Sequence, residues 1–144
     1  MMISIVRRLA ISTSLIGSLL GCQGDPTVWK KDFPSPNGAW VATARTKQWG
    51  GFGSAWVETS ISIQKVDKTV NRGQSFDVLS YPGGGAGGPA YVLSDANADH
   101  DLQVTWLSPT HLQIAHKTAI DPDLEVIRFS DVDISYQLSV DKTP

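Results

Sequence analysis

Near the C-terminus, Val132, Ile134, Tyr136, Leu138 and Val140 alternate with Asp131, Asp133, Ser135, Gln137 and Ser139. Successive side chains of an extended chain point to opposite faces, so a two-residue period gives one apolar face and one wetted face. Such a strand cannot stand alone; it must pair at its edges and press its apolar face onto a second layer. From Val28 onward the extended pattern recurs, and no stretch of ten or more residues carries a convincing helical period. The chain is therefore expected to be all-β.

The expected strands fall in order. Residues 40–46 follow a turn at Ser35-Pro36-Asn37-Gly38, where proline presets φ and Asn-Gly accepts positive φ. Residues 55–66 put Val57, Ile61 and Ile63 on one face with Thr59 among them, and residues 74–81 and 90–93 complete the first half. Then Leu102, Val104 and Trp106 alternate with Gln103 and Thr105, and Ser108-Pro109-Thr110 turns the chain into Leu112, Ile114 and His116. Residues 124–129 follow Asp121-Pro122-Asp123, and Ser130-Asp131 leads into the final strand, so the last four strands read as a meander. Two long glycine-rich loops, 48–54 and 82–89, lie between strands. The expectation is an antiparallel sandwich, or one strongly bent sheet, of about seven or eight strands.

The N-terminus carries a different signal. Residues 1–8 contain no acid and the pair Arg7-Arg8, and residues 9–20 run without a charge. A bilayer-crossing helix needs about 20 apolar residues, so this run fits the apolar region of an export signal instead. Val6 stands before the arginines, where a twin-arginine signal usually has Ser or Thr, so the pair reads as an ordinary basic start. Leu19-Leu20-Gly21-Cys22 resembles the lipobox of bacterial lipoproteins. That resemblance implies a diacylglyceryl group on the Cys22 sulfur, cleavage between Gly21 and Cys22, and acylation of the new amine. It also implies a place in the bacterial envelope, where Gln23, in a position at which aspartate favours the inner membrane, leans towards the outer membrane facing the periplasm. Two or three acyl chains hold a protein far more firmly than one. The expected organisation is a signal helix in residues 1–21, a lipidated tether in 22–26 and a single all-β domain in 27–141.

Loss of residues 1–21 removes Arg7 and Arg8, which leaves 10 basic and 14 acidic residues in 123, a net charge of −4. That is one domain's length of chain. A mildly acidic surface without basic runs argues against nucleic acid as a partner. With the single cysteine, Cys22, given to lipid, disulfides, thiol nucleophiles and cysteine-ligated zinc are excluded.

A faint internal echo sets Ser35-Pro36 and Val41-Ala42 against Ser108-Pro109 and Ile114-Ala115, 73 residues on. Residues 33–42 also resemble the Ser-Pro-Asp-Gly blade start of Tol-associated β-propellers, with Asn37 in place of aspartate. At roughly 40 residues per blade the chain holds at most three, below the four or so that closure needs, so a propeller is excluded on length. Ser35 to Gly38, Gly51 to Ser54 and Val104 to Pro109 together resemble small uncharacterised proteobacterial proteins, which implies a fold and no activity.

Gly83-Gly84-Gly85-Ala86-Gly87-Gly88 matches G-x-G-x-x-G in letters, but Pro89 and an extended segment follow where a helix would have to begin, so it reads as a flexible loop. Ser62-Ile63-Gln64-Lys65 matches S-x-x-K inside a strand, without its partner motifs. Asp95, Asn97, Asp99 and Asp101 space oxygens as a calcium loop does, but His100 stands where an EF-hand loop needs glycine; a solvated acidic loop is the better reading and a weak calcium site the alternative. His111 and His116 fall on opposite faces of one strand, which does not suit a shared metal. No metal and no cofactor is therefore expected. Trp40, Trp56 and Trp106 lie in strands and read as core or cross-strand packing, whereas Trp49 and Phe52 in a glycine-rich loop are candidate partner contacts. The expected function is a non-catalytic binding or interaction module, anchored to the membrane through its lipid and facing another envelope protein. The alternative is a cell-wall or surface-glycan hydrolase drawing paired carboxylates from Glu58, Asp131 and Asp133.

Overall fold

A computed structural model describes residues 26–50, 55–67, 73–85, 90–117 and 120–138. Residues 1–25, where the signal peptide with its Gly21–Cys22 cleavage site is expected, and Phe52 lie outside the described residues. Among the described residues, nine strands form two sheets. The first sheet contains β1 (Thr27–Pro34), β2 (Trp40–Trp49), β3 (Trp56–Lys65), β4 (Ser75–Ser80) and the short β7 (Leu124–Glu125), in spatial order β1-β2-β3-β4-β7 and antiparallel throughout. The second contains β5 (Leu102–Ser108), β6 (His111–His116), β8 (Arg128–Phe129) and β9 (Val132–Leu138), in order β5-β6-β9-β8. A single helical turn, α1 (Ala98–Asp101), leads into β5. The all-β sandwich is as expected.

The alternation places the core. Ala42, Ala44 and Trp40 on β2, Ile61 and Ile63 on β3, Leu112 and Ile114 on β6, and Val132 and Ile134 on β9 meet in one buried cluster between the sheets. The β1–β2 turn shows why Ser35-Pro36-Asn37-Gly38 is needed. Gly38 N–H donates to Ser35 O at 2.9 Å, Ser35 N–H to Trp40 O at 2.8 Å, and Asn37 Oδ1 accepts from Ser35 Oγ and Ala39 N–H. Gly38 sits at φ +67°, a conformation that glycine adopts without steric cost.

Three expectations change. The last four strands are not a meander: residues 124–129 split, β7 pairing with β4 of the first sheet and β8 with β9 of the second. The chain crosses between layers there, so β9 returns beside β6 in parallel, His111 opposite Asp133 through His116 opposite Leu138. Tyr136 fastens the crossing, its Oη lying 2.8 Å from Val78 O and 3.0 Å from Val126 O. Residues 90–93 form no strand. Their backbone is held by a hydroxyl relay instead: Leu93 N–H donates to Thr46 Oγ1, which lies 3.0 Å from Thr59 Oγ1, which donates to Tyr91 O. Finally, the 73-residue echo is not a structural repeat. Val41 is half-buried where Ile114 is fully buried, and Ala42 is fully buried where Ala115 is half-buried. The first turn spans residues 35–40 between paired Pro34 and Val41, the second only Pro109-Thr110 between Ser108 and His111, and a bulge follows Trp106, so the matched letters face opposite ways.

Candidate functional site

Two ends of the β2–β3 hairpin stand out. Trp49 closes β2 and is not a loop residue; its cross-strand partner is Trp56, the first residue of β3. Trp49 is 38% exposed and Trp56 48%, so of the two readings of Trp56, core or cross-strand packing, it takes the second. Side chains directly opposite on neighbouring strands share a face, so the two tryptophans make this end of the outer face aromatic. Its geometry is fixed from behind. A Cβ on Gly83 would lie 2.2 Å from Trp56 Nε1, so only glycine lets that backbone run flat against the indole. Gly84 exchanges both backbone hydrogen bonds with Val57 at 3.0 Å. The described part of the glycine-rich segment, Gly83 to Gly85, is thus a fitted backing for Trp56. Lys47 Nζ lies 5.8 Å from the Trp49 ring centroid.

At the other end, Trp40 pairs with Lys65, and the surroundings reverse. Trp40 is 3% exposed and meets Phe129 edge to face at 6.2 Å, while Phe129 stacks tilted on Phe76 at 4.3 Å. These three rings, from β2, β8 and β4, floor an open cavity of about 510 Å³ whose rim includes Lys65, Asp67 and Gln74. Lys65 Nζ stands 5.8 Å from the Trp40 ring centroid. An apolar floor with a few polar groups at the rim, at this volume, is the usual composition of a ligand pocket.

The polar interior of the molecule lies towards the Trp49–Trp56 end. Tyr81 is fully buried, its ring 4.5 Å from that of Tyr91 and 5.6 Å from that of His116. Tyr91 Oη donates to Asp101 O, but Tyr81 Oη and His116 Nδ1 have no hydrogen-bond partner among the described residues. Burial pushes the Tyr81 and Tyr91 hydroxyls well above their ordinary range and raises Tyr136 to about 12. It holds the His116 imidazole below 6.5, a shift the Glu125 carboxylate partly offsets.

The acidic candidates do not assemble. Asp95 Oδ1 accepts from Trp29 Nε1 at 3.0 Å, Asn97 Oδ1 from Ser94 N–H and Oγ, and Asp99 pairs with Lys31 at 2.7 Å. The hydrogen bond from Lys31 holds the Asp99 carboxyl below its usual range. Asp101 lends its backbone carbonyl to Tyr91 and Lys117. Among the described residues, no group of three or more His, Cys, Asp or Glu side chains is placed to hold a metal ion. Glu58 sits opposite Lys47 on the outer face of the first sheet. Asp133 lies 3.5 Å from Arg128 on the outer face of the second sheet, with Asp131 in the turn before β9. The core separates Glu58 from Asp133, so that pair does not face across a cleft. His111 Nε2 lies 3.0 Å from Ser135 Oγ on the outer face, while His116 points inward, which keeps the two histidines apart.

Sequence reasoning missed the cavity because its three rings come from strands far apart in the chain. It missed the exposure of Trp56 as well, although three consecutive glycines are a cue that a bulky neighbour needs a flat backbone. Searches found no matching family model, curated protein or solved structure.

Proposed function

We propose that this chain is a non-catalytic binding lipoprotein of the bacterial envelope. Its lipid on Cys22 holds it at the outer membrane, facing the periplasm, and its far-end cavity receives an apolar group of another envelope component. The observation that carries the reading is the cavity over Trp40, Phe76 and Phe129, with an apolar floor and the charged groups of Lys65 and Asp67 at its rim. It lies at the start of β2, while Pro26, where the described chain begins, is hydrogen-bonded beside Gln48 at the end of β2. Trp40 and Trp49 are nine residue steps apart along β2, roughly 30 Å, so a tether at one end leaves the cavity directed away from it. A lipid-held module with its pocket on the distal end can meet partners across an aqueous gap.

The test has two arms. Fractionation of a Cys22→Ser variant should move the protein from membranes to the soluble fraction; continued sedimentation with membranes would remove the anchor. A photo-cross-linking residue at Gln74 should give one reproducible adduct in intact envelopes, lost when Phe129→Asp introduces charge into the cavity floor. An adduct pattern that ignores Phe129→Asp would end the cavity reading.

A further inference from the structure

The exposed tryptophan pair and the start of the described chain occupy the same end of the first sheet. Pro26 O accepts from Gln48 N–H at 2.8 Å, and Thr27 pairs with Lys47, two residues before Trp49. Val28, beside the β1 irregularity, is 59% exposed at the same end. Cys22 is four residues before Pro26, and a chain spans at most about 3.6 Å per residue, so the lipid attachment point lies within about 14 Å of Pro26. A tether this short cannot hold the opposite end against the bilayer; the end it enters is the end that faces lipid.

The chemistry of that end suits a lipid surface. Tryptophan has an apolar body and a polar N–H, and belongs where hydrocarbon meets headgroups. The two tryptophans occupy paired positions on one face, and Trp56 is seated on Gly83 and Gly85, so little of its ordering remains to be lost on contact. Lys47 beside Trp49 supplies a cation at headgroup depth. A cross-strand aromatic pair left half exposed by its own fold is otherwise unexplained, because the core is complete without it.

We propose that Trp49 and Trp56 rest in the interfacial layer of the membrane that holds Cys22, giving the sandwich a second, non-covalent contact that fixes its orientation. The inference deepens the anchored reading and rests on it for the nearness of the bilayer. It identifies the contact of Trp49 as lipid, leaving protein partners to the distal cavity.

The experiment uses the full chain as purified from membranes, reconstituted into vesicles of phosphatidylethanolamine and phosphatidylglycerol with and without a brominated-acyl phosphatidylcholine. Bromine quenches indole emission only on close approach. Native protein should be quenched, Trp49→Phe or Trp56→Phe should each lose part of the quenching, and the double variant should lose all of it while Trp29, Trp40 and Trp106 still emit. Trp106→Phe should leave the quenching intact. No bromine-dependent quenching of the native protein, or equal quenching in the double variant, would overturn the proposal.

Intact mass on the same preparation separates the two readings. Acyl chains on Cys22 without quenching would leave the anchor standing and reject the tryptophan contact. Quenching on added vesicles without acyl chains would support the contact and reject the anchor, and absence of both would reject both.

Discussion

The two ends of the β2–β3 hairpin put tryptophan to opposite uses. At the Trp40–Lys65 end the indole is buried against Phe129 and closes the floor of a cavity. At the Trp49–Trp56 end both indoles stay half exposed on a glycine backing, above an interior that is polar: Thr46, Thr59, Tyr81, Tyr91 and His116. Nearby sequence does not distinguish them, since Trp40 and Trp56 both stand between an alanine and a valine in a strand. The layer behind each one makes the difference. Behind Trp40 lies the second sheet, carrying Phe129 on β8; Trp56 lies against the backbone of Gly83 to Gly85.

The sharpest way to break this contrast is truncation. Trp40→Ala should cost about 3–5 kcal/mol in denaturant unfolding, because it empties a buried aromatic site. Trp56→Ala should cost well under that, within about 1 kcal/mol, as fits a partly exposed side chain. Equal losses would mean that both ends are core.

Next in size is the relay at the polar end. Thr59→Val keeps the volume but leaves Tyr91 O without its donor, so unfolding free energy should fall by about 1–3 kcal/mol. At the cavity end, Trp106→Phe removes the indole N–H that donates to Phe33 O at 2.9 Å. The expected loss is about 1 kcal/mol, since that bond is only part-buried. A loss for Trp106→Phe larger than for Thr59→Val would reverse the assignment of polar interior to the Trp49–Trp56 end.

Acid titration offers a smaller but directional check. The folded His116 imidazole has a pKa below its ordinary 6.5 because burial penalises its charged form. Between the two values the unfolded chain binds more protons than the folded one, so stability should fall as pH drops below about 6.5 and level off beneath the folded pKa. His116→Phe should flatten that part of a melting-temperature profile. On the alkaline side the sign reverses: Tyr81, Tyr91 and Tyr136 are raised above 10, so stability should decline as pH climbs past 10. The least effect is expected from Trp49→Phe, within about 0.5 kcal/mol.

Much of the fold was legible. Period-two alternation located β9, β5, β6 and the inner face of β3, because a strand buried on one side must repeat its apolar residues at every second position. The turn chemistry of Ser35 to Gly38 was legible too, because a backbone conformation with positive φ selects for glycine. Less of the candidate site could be read. The tie of Trp106 to Phe33 O, the stacking of Phe76 on Phe129 and the backing of Trp56 by Gly83 all join residues remote in sequence, and alternation says which face a residue takes but not which neighbour it meets.

The sequence by itself determined an all-β chain, since local periodicity is a property of short segments. The tertiary structure alone decided that residues 124–129 serve two sheets, that β9 runs parallel to β6, and which tryptophans are covered. Each of those outcomes depends on strand pairing between distant segments, and pairing is chosen by the total area the two layers can bury together, a quantity no single stretch of chain contains.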